Sequence, residues 1–190
     1  MRLCVVRHGE TDWNAEGRLQ GQQDIPLNGR GRAQAEGVGH ILRQDGSWAD
    51  ADFISSPLLR TRHTMELMRE AMGLPASGYR VEPRLAELTF GDWEGLTWPE
   101  VRARDEKGAT AREFDKWGFV PPNGESYAML QERLEPWLGT IRDSTVIVSH
   151  GGVARVLLAV LGRVEVTLAP LLDIQQGRAL VFDDDTYHWL

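Results

Sequence analysis

This chain of 190 residues has one cysteine, Cys4, so it forms no internal disulfide. Cys4 lies inside the apolar run Leu3-Cys4-Val5-Val6 and reads as a small buried hydrophobe. No apolar run approaches the length of a membrane span. The first residues lead directly into a strand pattern, with no signal peptide expected, and the expected location is cytoplasmic. Positive charge is in deficit: the formal net charge is −7, which argues against nucleic acid or an anionic membrane as partner. Any cationic site must therefore be local. No internal repeat or low-complexity segment is present.

What is present is α/β alternation. Strands are expected at Arg2 to Arg7, at Asp52 to Ser55 and at Thr145 to Ser149, with a weaker one near Tyr79 to Val81. Asn28 is suited to cap a helix carrying Ala35, Val38 and Leu42. Ser56, followed by Pro57, is suited to cap a second helix that Gly73 ends. A third helix is expected from about Glu125 to Arg142, with a kink at Pro136, and a fourth from Gly152 to Leu161. Leu171 to Gln175 and Ala179 to Phe182 read as a hairpin turning at Gln176-Gly177-Arg178. From about 90 to 125 aromatic and charged residues interleave irregularly, which predicts a helical insertion. The whole reads as a single domain over 1–190: a mostly parallel mixed sheet in a three-layer α/β fold with helices on both faces.

Two of the strands run into a histidine followed by glycine. Arg7-His8-Gly9-Glu10-Thr11 ends the first, and Ser149-His150-Gly151-Gly152 ends the other. In open α/β sheets, ligands bind beyond the carboxyl ends of the strands. A histidine held by one ring nitrogen can attack phosphorus with the other. Arg7 beside it suits phosphoryl oxygens, and Gly9 would let the backbone approach a ligand. Thr11 and Asn14 add polar groups to the same loop. In Ser55-Ser56-Pro57-Leu58-Leu59-Arg60-Thr61, a strand end opens a helix whose N–H groups favour an anion, and Arg60 can reach the pocket. Arg62 points to another side of that helix. A general acid is expected on the loop Ala86 to Gly95, where a carboxyl group beside bound phosphate would hold its proton more tightly. Spacing leaves Glu87, Asp92 and Glu94 as equal candidates. His40, His63 and His188 read as structural or exposed.

These motifs resemble those of the histidine phosphatase superfamily, which includes the cofactor-dependent phosphoglycerate mutases. The resemblance rests on Arg7-His8-Gly9-Glu10-Thr11 with Asn14, on Gly21-Gln22-x-Asp24-x-Pro26-Leu27, and on Ser55-Ser56-Pro57-Leu58-x-Arg60-x-x-x-Thr64. Glu87 with Gly91-x-Trp93-Glu94-Gly95, and Ser149-His150-Gly151-Gly152, complete it. It implies a phosphoglycerate mutase-like fold and a phosphohistidine formed on His8. Arg7, Arg60 and His150 would bind the phosphoryl group, with Asn14, Gln20, Gly21 and Gly151 lining the substrate site. Glu87 would be the proton donor. The family requires no metal, and no cofactor is expected.

The mutase pattern is not met. Where mutases have a tyrosine, a lysine, an arginine pair and an asparagine, this chain has Phe90, Trp98, Lys116-Trp117 and Gly152, so one positive charge of that set survives. A phosphomonoesterase acting on a small phosphorylated metabolite is therefore favoured over a mutase. A non-catalytic phosphate-binding relative, and a metallohydrolase using His8, His150 and Glu87 as ligands, are the rivals. Trp93, Trp98, Trp117 and Phe119 either line the substrate pocket or simply pack the insertion. A homodimer is the default oligomeric expectation.

Overall fold

The computed structural model describes residues 2–184 and 186–190. The chain opens with β1 (Arg2–Arg7), a four-residue helix α1 (Asp12–Ala15) and the long helix α2 (Gly29–Asp45). There follow β2 (Asp52–Ser55), α3 (Leu59–Met72) and the short β3 (Arg80–Val81). The helices α4 (Trp98–Arg104) and α5 (Glu106–Phe114) lie within the irregular region, and α6 is Tyr127–Leu138. The chain closes with β4 (Thr145–Ser149), α7 (Gly151–Val160), β5 (Ala179–Asp183) and β6 (Thr186–Trp189).

The six strands form one mixed sheet in the order β3-β2-β4-β1-β5-β6. β1, β2, β3 and β4 are mutually parallel, and β5 runs antiparallel to both of its neighbours, β1 and β6. Alternation along each strand divides the core into two layers. Leu3 and Val5 of β1 face one side, with Ile147, Leu180 and Phe182, and pack on Leu130, Leu134, Val153 and Leu157 of α6 and α7. Cys4 and Val6 face the other, with Val146, Val148 and Val181, and pack on Val38, Leu42, Met65 and Met68 of α2 and α3. Cys4 is fully buried, which pushes its thiol pKa up and keeps it in the unreactive protonated form. No helix among the described residues is long and apolar enough to cross a membrane.

Asn28 caps α2 by accepting the Gly31 N–H, and Gly73 ends α3 in the left-handed conformation, φ 83°. Three expectations need correction. Ser56 does not cap α3; Leu58 holds that position without a side-chain bond, and Asp24 Oδ1 accepts the Leu59 N–H at 2.7 Å. The helix ending at Arg142 stops at Leu138, within a turn of Pro136, and begins after a Ser126 cap. The hairpin partner of β5 is β6, not Leu171 to Gln175, which form no strand. The insertion shares a small core with the loop after α1, built from Leu19, Trp93, Val101 and Ala109, against which Phe90 and Phe119 pack.

Candidate active site

The pairing of β1 with β4 brings Arg7 opposite Ser149, so the residues that follow both strands emerge side by side. The His8 N–H donates to the Ser149 carbonyl at 2.9 Å, and the two imidazoles lie with centroids 5.3 Å apart. Both are buried, His8 at 3% exposure and His150 at 0%.

His8 Nδ1 lies 2.8 Å from its neighbour's carbonyl, Gly9 O. A carbonyl only accepts, so the ring proton sits on Nδ1 and Nε2 keeps its lone pair. Burial first, then the charges of Arg60 and Arg7, hold the His8 pKa well below its ordinary 6.5. The ring is therefore neutral at neutral pH, the state a nucleophile needs. Gly9 serves a different end from the one expected. A Cβ there would meet Gly31 O at 2.1 Å, so the close approach is to helix α2 rather than to a ligand.

Arg60 links the two rings. Its Nε donates to His8 Nε2 at 3.2 Å and its Nη2 lies 3.3 Å from His150 Nδ1. Its remaining N–H groups donate to the carbonyls of Gln23 (2.6 Å) and Gly21 (2.8 Å), which fix the guanidinium plane. Burial lowers its pKa to about 10, which leaves it cationic at neutral pH. Arg7 donates to the Ile174 carbonyl at 2.7 Å, while its Nε is buried and unpartnered among the described residues. An orphaned guanidinium N–H is costly unless an anion supplies the missing acceptor.

His150 Nε2 is 2.7 Å from the hydroxyl of Ser56, which accounts for the burial of that serine better than a helix cap does. Arg60 Nη2 can only donate to His150 Nδ1, so the ring proton of His150 sits on Nε2 and the Ser56 hydroxyl accepts it. Burial first, then Arg60, also holds the His150 pKa well below its ordinary value.

Glu87 reaches the same cavity from its loop. Its Oε1 accepts the Leu88 N–H and its Oε2 the Gly152 N–H, both at 3.0 Å. A Cβ on residue 152 would lie 2.2 Å from Glu87 Oε1, so the glycine makes the room the carboxylate occupies. The competing carboxylates go elsewhere. Glu94 binds the Gln22 and Phe90 N–H groups and the Thr89 hydroxyl, tying two loops together. Asp92 pairs with the Asn123 amide at the surface.

These side chains share a cavity of about 150 Å³ lined by Arg7, His8, Asn14, Gln20, Gly21, Arg60, Glu87 and Gly151. His150 is not among its lining residues; it touches the site through Arg60. Asn14 commits its amide oxygen to Thr11 and to Gln176 Nε2, so what it offers a ligand is its NH₂. Gln176 also donates to His8 O at 3.0 Å. Arg18, Leu19, Phe90 and Arg155 complete the wall, and neither arginine emerged from the sequence as a site residue. Arg155 lies one turn into α7, a helix that follows a strand end as the helix carrying Arg60 does. Among the described residues no group of three or more His, Cys, Asp or Glu is arranged to hold a metal. The Arg60 guanidinium stands where a cation shared by the two imidazoles would sit. The insertion's aromatics pack on one another and, through Trp117, on α6. Trp93 stacks on Phe119 at 5.5 Å and Trp117 on Tyr127 at 5.5 Å, while Trp98 stays 40% exposed.

The model of the histidine phosphatase superfamily (branch 1) matches residues 3–189. A 2,3-bisphosphoglycerate-dependent phosphoglycerate mutase of Methylobacterium radiotolerans is 34% identical, the match covering 95% of this chain and 88% of the relative. A glucosyl-3-phosphoglycerate phosphatase of Mycobacterium tuberculosis is 33% identical over 90% of this chain and 79% of its own. Among solved structures, an alpha-ribazole phosphatase from Shigella flexneri superposes with a TM-score of 0.83 at 30% identity, covering 98% of this chain and 93% of that one.

Proposed function

The chain belongs to the histidine phosphatase superfamily, branch 1, and from that premise we propose that it is a metal-independent phosphomonoesterase acting on a small phosphorylated metabolite. The observation that carries the reading is the state of His8: neutral, protonated on Nδ1, with Nε2 among guanidinium donors.

In the first step His8 Nε2 attacks phosphorus in line with the ester oxygen. The N–P bond forms, the P–O ester bond breaks, and Glu87 gives its proton to the departing alkoxide. Arg60 exchanges its bond to His8 Nε2 for one to a phosphoryl oxygen, and the free Arg7 Nε takes another. Asn14 and Gln20 bind beside them, and His150, whose Nδ1 accepts from Arg60 and whose Nε2–H donates to Ser56, supports the phosphoryl group through Arg60. In the second step water attacks phosphorus from the vacated side. Glu87 takes the water's proton, the N–P bond breaks, and His8 returns to its first state as phosphate leaves. The charge spread over the phosphoryl oxygens is met by fixed cations without a metal.

Hydrolysis is favoured over mutase chemistry by Phe90, Trp98, Lys116-Trp117 and Gly152, which all depart from the mutase pattern. In place of Gly152, a larger residue, such as the asparagine of the mutase pattern, would displace Glu87 from its present seat. The insertion over 90–125 acts as a cap on the pocket of a single domain. The proposal includes a cytoplasmic setting and a homodimer, with neither nucleic acid nor membrane as partner, in keeping with the net charge of −7.

The test is rapid quench with labelled substrate. An acid-labile, base-stable phosphoenzyme should form and be absent from His8→Ala. Hydrolysis of p-nitrophenyl phosphate no faster than that of the His8→Ala control would instead indicate a binding module. A rate that collapses on chelation and returns with a divalent ion would indicate a metallohydrolase. Conversion of phosphoglycerate isomers that depends on 2,3-bisphosphoglycerate and outpaces hydrolysis would indicate a mutase.

A further inference from the structure

His8 and His150 directly follow strands and Arg60 lies in a helix, whereas Glu87 stands on a loop that neither a sheet ladder nor a helix fixes. Buried or half-buried main chain of that kind needs partners from elsewhere. Here side chains supply them, and each carbonyl from Arg84 to Glu87 accepts from one. Ser149 Oγ donates to Leu85 O at 2.8 Å, and Gln22 Nε2 donates to Glu87 O at 2.9 Å. The other two carbonyls, of Arg84 and Ala86, accept from a single side chain, Arg133 of α6.

The Arg133 guanidinium is fully committed. Its Nη1 donates to Arg84 O and, at 3.1 Å, to Ala86 O, which also accepts from Nη2 at 3.2 Å. Its Nε and Nη2 form a two-pronged ion pair with Glu125, at 3.1 and 3.0 Å. That pair sets the plane of the fork and turns its other edge toward the loop. Glu125 also gives its own backbone N–H to Thr89 O at 2.9 Å, so the loop is gripped on both sides of Glu87. The carboxylate of Glu87 is seated separately, on the N–H groups of Leu88 and Gly152. Gly152 belongs to α7, which shares a core with α6 through Leu130, Leu134, Val153 and Leu157. One helix therefore holds the main chain of the loop, and its neighbour holds the end of the side chain. A planar fork spans two carbonyls and a carboxylate at once, which a single ammonium on a flexible stem does not.

Building on the reading of Glu87 as proton donor, we infer that Arg133 is a positioning residue for that proton transfer, acting through the carbonyls of Arg84 and Ala86. It touches neither the substrate nor the reacting atoms. Transfer to a departing oxygen depends steeply on where the donor stands. A loosened loop therefore weakens protonation of the leaving group while His8 and the cations around the phosphoryl oxygens stay in place. A purely structural role would lower the folded fraction and scale the rates of all substrates alike.

The experiment measures kcat/KM for aryl phosphates whose leaving phenols differ in acidity, in wild type, Arg133→Lys, Glu87→Gln and the double variant. Arg133→Lys should raise the ratio of p-nitrophenyl to phenyl phosphate about three- to tenfold. Combined with Glu87→Gln, which already abolishes the transfer, the same substitution should leave the ratio unchanged. Equal losses on every substrate, or a rise that persists in full alongside Glu87→Gln, would overturn the inference. Should Arg133→Lys fail to fold, Glu125→Gln keeps every donor to the loop and removes only the ion pair that orients them. It should move the ratio in the same direction, and an unchanged ratio there would also overturn the inference. If Glu87→Gln itself leaves the ratio at its wild-type value, the proton-donor reading falls, and this inference with it.

Discussion

At the scale of single residues, the site is governed by where protons and lone pairs are held. The Gly9 carbonyl decides the tautomer of His8, and the Arg60 guanidinium decides that of His150. Gly152 decides where Glu87 can stand. The atom that a new Cβ would strike is the far end of that flexible carboxylate, so Gly152→Ala should cost little stability yet shift the proposed acid. Its kcat should fall most for esters with poor leaving groups, and far less for p-nitrophenyl phosphate, whose leaving group needs little protonation. Glu87→Gln should show the same selectivity at a larger amplitude, about 10²-fold or more on poor leaving groups. Equal losses on both substrate types would argue that Glu87 positions the substrate without transferring a proton.

At the scale of elements, the strands and helices that hold the site were legible because their signals are local. β1 and β4 are apolar runs ending at glycine, and Asn28 and Gly73 bracket helices in the ordinary way. The misread segments have remote causes. Ile174 looked like part of a strand, yet it is buried in the core and its carbonyl is spent on Arg7. β6 is short and largely exposed, so it carries no apolar signature. Ser56 before Pro57 has the form of a cap, but its hydroxyl is drawn to a histidine 94 residues away. The N-terminus of α3 is served by Asp24 from another loop, which no local pattern reveals. Asp24→Ala should therefore destabilise the fold by about 0.5–2 kcal/mol, as loss of a helix cap does. The check is a urea midpoint that falls while the denaturant slope stays constant.

At the scale of the whole molecule, burying two neutral histidines makes stability depend on pH. In the unfolded chain each titrates near 6.5, and in the folded protein well below it. Between those values the unfolded state binds more protons, so stability falls as the solution is acidified below 6.5 and is fully present above it. The slope should approach ~1.4 kcal/mol per pH unit for each histidine. Urea midpoints should therefore drop between neutral and mildly acidic pH, and His8→Gln should remove about half of the dependence. Of the residues that meet in the candidate site, Arg7, His8, Arg60 and His150 were legible in the chain because each adjoins a strand end or a helix start, while Glu87 lies on a loop where spacing left three carboxylates open. A hollow of about 390 Å³ beside the candidate site could not be read from the chain, because Arg112, Arg155 and Tyr127 converge on it from three separate helices.

Sheet order has one more effect. β4 and β1 lie in the interior of the six, with β2 and β3 on one side and β5 and β6 on the other. Fraying begins at borders, so the two ribbons bearing the imidazoles are the last to part. The molecule can loosen its rim while the floor beneath the candidate site keeps its alignment.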